Sequence, residues 1–230
     1  MASSGFQFAA PPLTYLVKRL IIVLVCSYVA QLVLRTWLPV VDVLALSPGQ
    51  PWVWQLLTYP LVSNSDPLSV LLGMLMLWFG LSPFEIAHGT RRAAQLCLVV
   101  GLGASVPADA LGFVLSPAYP LWGASPLYLG GFTASAWQYR NHRLSFFGIL
   151  PMTGLQFLLL LLGLSVVSFL YNGNATALVA DLGAMAAAVG FMRWLDRPAP
   201  RKPPRRPAAR PSGFKVIQGG GQDDRPKWLN

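Results

Sequence analysis

Charge is what this sequence has least of. Only 11% of its 230 residues are charged, against 54% hydrophobic, and the mean hydropathy is +0.53. A water-facing domain carries about 25% charged residues, so this chain cannot cover a soluble surface, and a membrane protein is expected. Acid is scarcer still: 8 Asp and Glu stand against 17 Lys and Arg, a net charge of +9. In a soluble domain such an excess would suggest nucleic acid. Here the placement of the basic residues argues against a nucleic-acid partner. Histidine is limited to His88 and His142, and cysteine to Cys26 and Cys97. Neither histidine has metal-ligand spacing to a cysteine. Each cysteine lies in an apolar run, where it is expected to be buried as a small hydrophobe. No metal and no cofactor is expected.

What the chain does have is a succession of apolar runs. Leu20 to about Leu38 reads as a first span. It lacks a small-residue cleavage site and is followed by Arg35-Thr-Trp37, so it is expected to be retained rather than removed as a signal peptide. Residues 1–17 are expected at the interface. Residues 39–66 form a long loop containing Pro51-Trp-Val-Trp-Gln-Leu-Leu-Thr-Tyr-Pro60, whose aromatic content places it in the interface or in a re-entrant position. Leu68 to about Leu81 is the second span, capped by Asp66-Pro67 and ended by Ser82-Pro83. Ala93 to about Val106 is the third, broken by Pro107, and Gly123 to Trp137 is the fourth. Phe147 to about Tyr171 and Ala175 to Leu195 are the fifth and sixth. The second and fourth are short against the ~20 residues a span ordinarily needs. Residues 1–195 thus read as a six-span membrane domain and 196–230 as a Pro/Arg-rich cytoplasmic tail, expected to be disordered because it has little apolar surface to bury.

Charge placement orients this layout. With the N-terminus inside, segments 1–19, 82–92, 138–146 and 193–230 hold every Lys and Arg except Arg35, while Asp42, Asp66 and Asp109 fall outside. That asymmetry is the positive-inside rule. It predicts a multi-pass protein of the plasma or cytoplasmic membrane with both termini cytoplasmic. The basic tail then faces anionic lipid headgroups, an attraction of about 1 kcal/mol per residue close to the surface.

Three stretches together resemble the rhomboid family of intramembrane serine proteases. They are Trp54-Gln-Leu-Leu-Thr-Tyr59; Leu77-Trp-Phe-Gly80 followed by Glu85, Gly89 and Arg92; and Gly123-Ala-Ser125 at the start of the fourth span. Gly183 in a small-residue sixth span and the six-span layout add to the resemblance, which covers residues 15–195. A second copy, Gly103-Ala-Ser105, has no counterpart role. The resemblance implies an all-α, six-helix bundle around a water-filled cavity, with Ser125 at the nucleophile position on a short fourth helix. Small residues at Gly130, Gly131, Ala134, Ala180, Ala184 and Ala188 would let helices approach closely and bring position 125 near position 181.

The resemblance also implies a histidine base on the sixth span, and an oxyanion site built from a histidine and an asparagine on the second. Those positions hold Asp181, Ser69 and Gly73 here, and the glycine expected after the serine is Pro126. A serine hydroxyl needs a general base, and an ordinary carboxylate, with a pKa of about 3.9, matches that task poorly. Ser125-Pro126 also reads as a helix N-cap followed by proline at the first helical position. Asp181 is expected either to accept a hydrogen bond from Ser125 or Tyr128 or to contact a bound segment. Glu85 is expected to pair with Arg91 or Arg92.

Two functions follow from different classes. The first is a catalytically inactive rhomboid-like protein that binds transmembrane segments of client proteins. The second is an active intramembrane serine endopeptidase with an atypical Ser125/Asp181 site. A small transporter or channel fits less well, since intramembrane ionisable residues are few and no inverted repeat is visible.

Overall fold

The computed structural model describes residues 11–34, 37, 39–63, 66–114, 119–140, 143–146 and 150–197. The expected tail beyond Arg197 lies outside the described residues, as do His142 and most of the N-terminal segment 1–17. The chain is mostly helical. Among the described residues, five helices are long and apolar enough to cross a membrane: α1 (Tyr15–Leu34), α4 (Pro67–His88), α5 (Thr90–Gly112), α7 (Gly154–Asn172) and α8 (Ala175–Leu195). Between α1 and α4 lie two short helices, α2 (Val40–Leu44) and α3 (Gln55–Thr58), and a tight 3-10 turn over Tyr59–Leu61. α6 (Ser125–Gln138) has only 14 residues, about 21 Å at 1.5 Å per residue. A two-stranded antiparallel hairpin, β1 (Arg143–Phe146) and β2 (Leu150–Thr153), pairs Arg143 with Thr153 and precedes α7.

α6 is the hub. Gly131 abuts the backbone of Gly80 on α4, at 3.0 Å from where a Cβ would sit, and Gly130 meets the Val100 side chain on α5. Ala134 and Ala136 are fully buried. Ala180, Ala184 and Ala188 are also fully buried on α8. α8 crosses α5 so closely that a Cβ on Gly103 would overlap Ala187, and one on Gly183 would overlap the Gly103 carbonyl. The second Gly-Ala-Ser copy therefore marks a helix crossing.

Several boundaries differ from expectation. α4 continues through Pro83 to His88, so the expected loop 82–92 shrinks to Gly89, whose φ is +84°. Proline removes a helical hydrogen bond, but in a membrane bundle neighbours can supply replacements. Around that turn α6 packs close: the Ser135 hydroxyl donates to the Gly80 carbonyl at 3.1 Å, next to the Phe79 carbonyl whose helical donor Pro83 lacks. α5 likewise runs through Pro107, whose ring packs against Gly183.

The expected fifth span begins later, at Gly154, because the hairpin takes up the preceding residues. Thr153 starts α7 with a reciprocal capping box to Gln156. The first span begins earlier, at Tyr15. The reason is Glu85, which is buried and does not pair with Arg91 or Arg92. Its carboxylate accepts from the backbone N–H groups of Leu16 and Val17, at 2.9 and 3.3 Å, and from the hydroxyls of Thr14 and Thr90. Free N–H groups at a helix start need such an acceptor. Cys97 is half-buried, but Cys26 faces outward from α1, as an apolar side chain can in lipid; both are free thiols.

Candidate functional site

The loop between α1 and α4 is built to hold the start of α6. Gln55 is fully buried and braces the loop from its centre. Its side-chain oxygen accepts from Trp52 N at 3.1 Å, and its amide nitrogen donates to the Asp42 and Val43 carbonyls at 3.3 and 3.2 Å. Tyr59, also fully buried, donates its hydroxyl to the Gly101 carbonyl of α5 at 3.1 Å. Burial first, and the charge of Asp181 second, push the Tyr59 phenol well above its ordinary pKa, so it stays a donor. Leu46 and Leu121 exchange backbone hydrogen bonds at 3.0 and 2.9 Å, and Gly123 N donates to the Tyr59 carbonyl at 3.2 Å. Gly123 sits at φ +100°, a conformation that favours glycine. The stretch leading into Ser125 is thus pinned to the loop at three backbone bonds.

Ser125 is not the cap. Ala124 takes that position, with Ser125 and Pro126 the first two helical residues, and no side-chain capping bond is present. The far end of α6 is level with the end of α8, because the guanidinium of Arg193 lies 5.1 Å from the Trp137 ring. The shortfall in length therefore falls entirely at the Ser125 end. A cavity of about 360 Å³ occupies that space. Ser125, Ser69 and Gly73 all line it, with Met74, Trp122 and Tyr128 among the other walls. Ser125 Oγ has no hydrogen-bond partner among the described residues.

The remaining expected site residues are engaged elsewhere or absent as side chains. Ser69 Oγ donates to Asp66 Oδ1 at 2.6 Å, and Ser69 N to Asp66 Oδ2 at 3.2 Å, an N-terminal cap for α4. Those bonds hold the Asp66 carboxyl below the usual range. Gly73 contributes no side chain, and nothing lies within 4 Å of where its Cβ would stand. Asp181 is half-buried on α8 and does not line the cavity. It makes no hydrogen bond to Ser125 or Tyr128 among the described residues. The buried Ser165 of α7 is a side-chain neighbour, and Tyr59 and Tyr128 lie within reach of its charge. Among the described residues, no group of three His, Cys, Asp or Glu stands close enough to hold a metal ion.

Tyr128, expected as a donor to Asp181, instead lines the cavity, three positions after Ser125 and on the same helix face. One residue near this site escaped the reading of the sequence. Ser165 is a polar residue inside the most apolar span, where such residues tend to find a partner on another helix.

The family model for the Rhomboid domain matches residues 50–196, more than half of the chain. No curated protein matches it.

Proposed function

Since this chain belongs to the rhomboid family and is an integral, multi-pass membrane protein, we propose that it binds transmembrane segments of client proteins at the Ser125 cavity without cleaving them. In this reading α6 is a sixth, shortened span, both termini are cytoplasmic, and the plasma or cytoplasmic membrane is the site of action. The observation that carries it is the placement of Asp181: the residue at the family's base position makes no hydrogen bond to Ser125 and is not among the residues lining the Ser125 cavity. A serine without an adjacent base is a weak nucleophile. The oxyanion positions are a hydroxyl already bound to Asp66 and a glycine. A lost oxyanion donor costs about 3 kcal/mol of transition-state stabilisation. Pro126 removes a backbone N–H beside Ser125 as well. A groove that only binds needs none of these groups. Its apolar walls, Leu24, Val70, Leu72 and Met76 among them, suit the side chains of an apolar segment.

The unpartnered Ser125 hydroxyl in an open cavity favours the competing reading, an endopeptidase working with Ser125 and Asp181. A serine-directed fluorophosphonate probe on the purified full chain in lipid nanodiscs separates the two. Client binding alone predicts no labelling beyond that of Ser125→Ala. Labelling of the unaltered chain that disappears in Ser125→Ala would establish the protease and sink the binding-only reading. A photo-crosslinker at Leu72 should capture intact membrane segments.

A further inference from the structure

At the end of the bundle opposite the cavity, α6 and α8 finish together around one indole. The guanidinium carbons of Arg140 and Arg193 lie 5.0 and 5.1 Å from the centre of the Trp137 ring. Arg140 Nη1 is 3.4 Å from Asp196 Oδ2, and this is the one ion pair among the described residues. Arg193 has no carboxylate partner there. The floor beneath is rigid, with Phe191 tilted against Phe84 of α4 at 6.4 Å and against Trp194 at 5.7 Å. The Trp137 indole N–H is buried and has no acceptor among the described residues.

Ordinary structural roles account for part of this. Arg193 in the last turn of α8 complements the helix dipole. The Arg140–Asp196 pair is exposed, with side chains 44% and 53% accessible, and such pairs contribute little. Neither role explains two cations gathered on one ring with a single carboxylate between them, nor a buried donor left unmet. A phosphate oxygen accounts for both. Guanidinium groups bind phosphate through paired N–H donors, and an oxygen held between them would supply the missing acceptor. Both arginines are exposed, so their side chains can turn aside to admit it. Tryptophan and arginine at a helix end also mark headgroup depth.

We propose that Trp137, Arg140 and Arg193 form a phosphate-binding site that holds the headgroup of an anionic phospholipid. The site is independent of the client-binding reading, since it lies at the other end of α6 and uses none of the cavity residues.

Native mass spectrometry of the purified full chain tests it, in micelles containing equal amounts of phosphatidylglycerol and phosphatidylcholine. The chain should retain phosphatidylglycerol preferentially. Arg140→Gln and Arg193→Gln should each lower that retention about fivefold, the loss of about one hydrogen bond to the phosphate. Trp137→Phe, which keeps the ring and loses the N–H, should lower it severalfold. Arg140→Lys with Arg193→Lys should fall between, as charge remains and the paired donors are lost. Arg91→Gln with Arg92→Gln, exposed arginines at the start of α5, should leave it unchanged. An equal loss in that pair, or full retention in Trp137→Phe, would overturn the site in favour of a diffuse basic surface. Displacement of the lipid by millimolar inorganic phosphate would overturn the lipid assignment and identify the ligand as soluble phosphate.

Discussion

Pro107 deprives the Gly103 carbonyl of its helical donor, and that carbonyl lies against the Cα of Gly183. The gap left by a proline on α5 is filled by the backbone of α8, a contact close enough for a Cα–H to serve as a weak donor. A Cβ on Gly183 would overlap backbone, which cannot swing away as a side chain can. Gly183→Ala should therefore destabilise the fold by about 1–3 kcal/mol, and Gly183→Val by more, read as thermal unfolding in detergent. Gly163→Ala is the control: nothing lies within 4 Å of that position, and alanine is the better helix former. Equal shifts for the two alanine variants would contradict the crossing.

Glu85 joins α4 to the first turn of α1. Its carboxylate receives two backbone and two hydroxyl donors and is 5% exposed. Glu85→Ala should cost about 3 kcal/mol, in the range for hydrogen bonds to a charged group. Glu85→Gln should cost less, since its amide oxygen still accepts. Thermal unfolding of both variants, with helix content by circular dichroism, gives the comparison; a Gln variant no better than Ala would rule out the capping role.

Tyr59 ties the loop between α1 and α4 to α5. Tyr59→Phe removes only the hydroxyl that bonds Gly101, and should lower stability by about 1 kcal/mol. Because Gly123 hangs from the Tyr59 carbonyl, the same variant should also speed proteolytic nicking in the segment before Ser125. Unchanged nicking would mean that the backbone bonds alone fix that segment.

Installing the groups that the family resemblance implies at these positions tests the binding-only reading. Gly73→Asn should be tolerated, because the position is open. Asp181→His alone should not activate Ser125, since position 181 does not line the cavity. Asp181→His combined with Gly73→Asn, Ser69→His and Pro126→Gly should give fluorophosphonate labelling that depends on Ser125. Labelling by the single Asp181→His variant would show that α8 already presents position 181 to the serine.

Much of this arrangement was legible in the residues. The order of apolar runs, the shortness of the helix after Gly123 and the small-residue face of Ala180, Ala184 and Ala188 all appear in the fold. The prolines misled because a rule learned in water ends a helix at Pro83 and Pro107, whereas here α6 packs on the turn before Pro83 and the backbone of α8 lies against the Gly103 carbonyl that Pro107 exposes. Glu85 misled because its sequence neighbours Arg91 and Arg92 are obvious partners, while its actual donors at Thr14, Leu16 and Val17 are 68 to 71 residues away. Spacing carries no trace of such contacts. Asp181 was found as an anomaly, but its place outside the lining of the Ser125 cavity depends on how α8 packs against α6 and α7, which follows from the whole bundle.

The short α6 also makes the protein unequal toward the two halves of the bilayer. On the Trp137 side the bundle ends in packed rings and meets lipid as a closed wall. On the Ser125 side the helix stops about 10 Å short of the ~31 Å span of its 21-residue neighbour α8. Acyl chains that reach that notch meet an open cavity in place of a continuous helix over the missing turns. They must shorten, tilt or give way to water. The leaflet on that side should therefore be locally thinned and disordered, and the opposite leaflet left undisturbed.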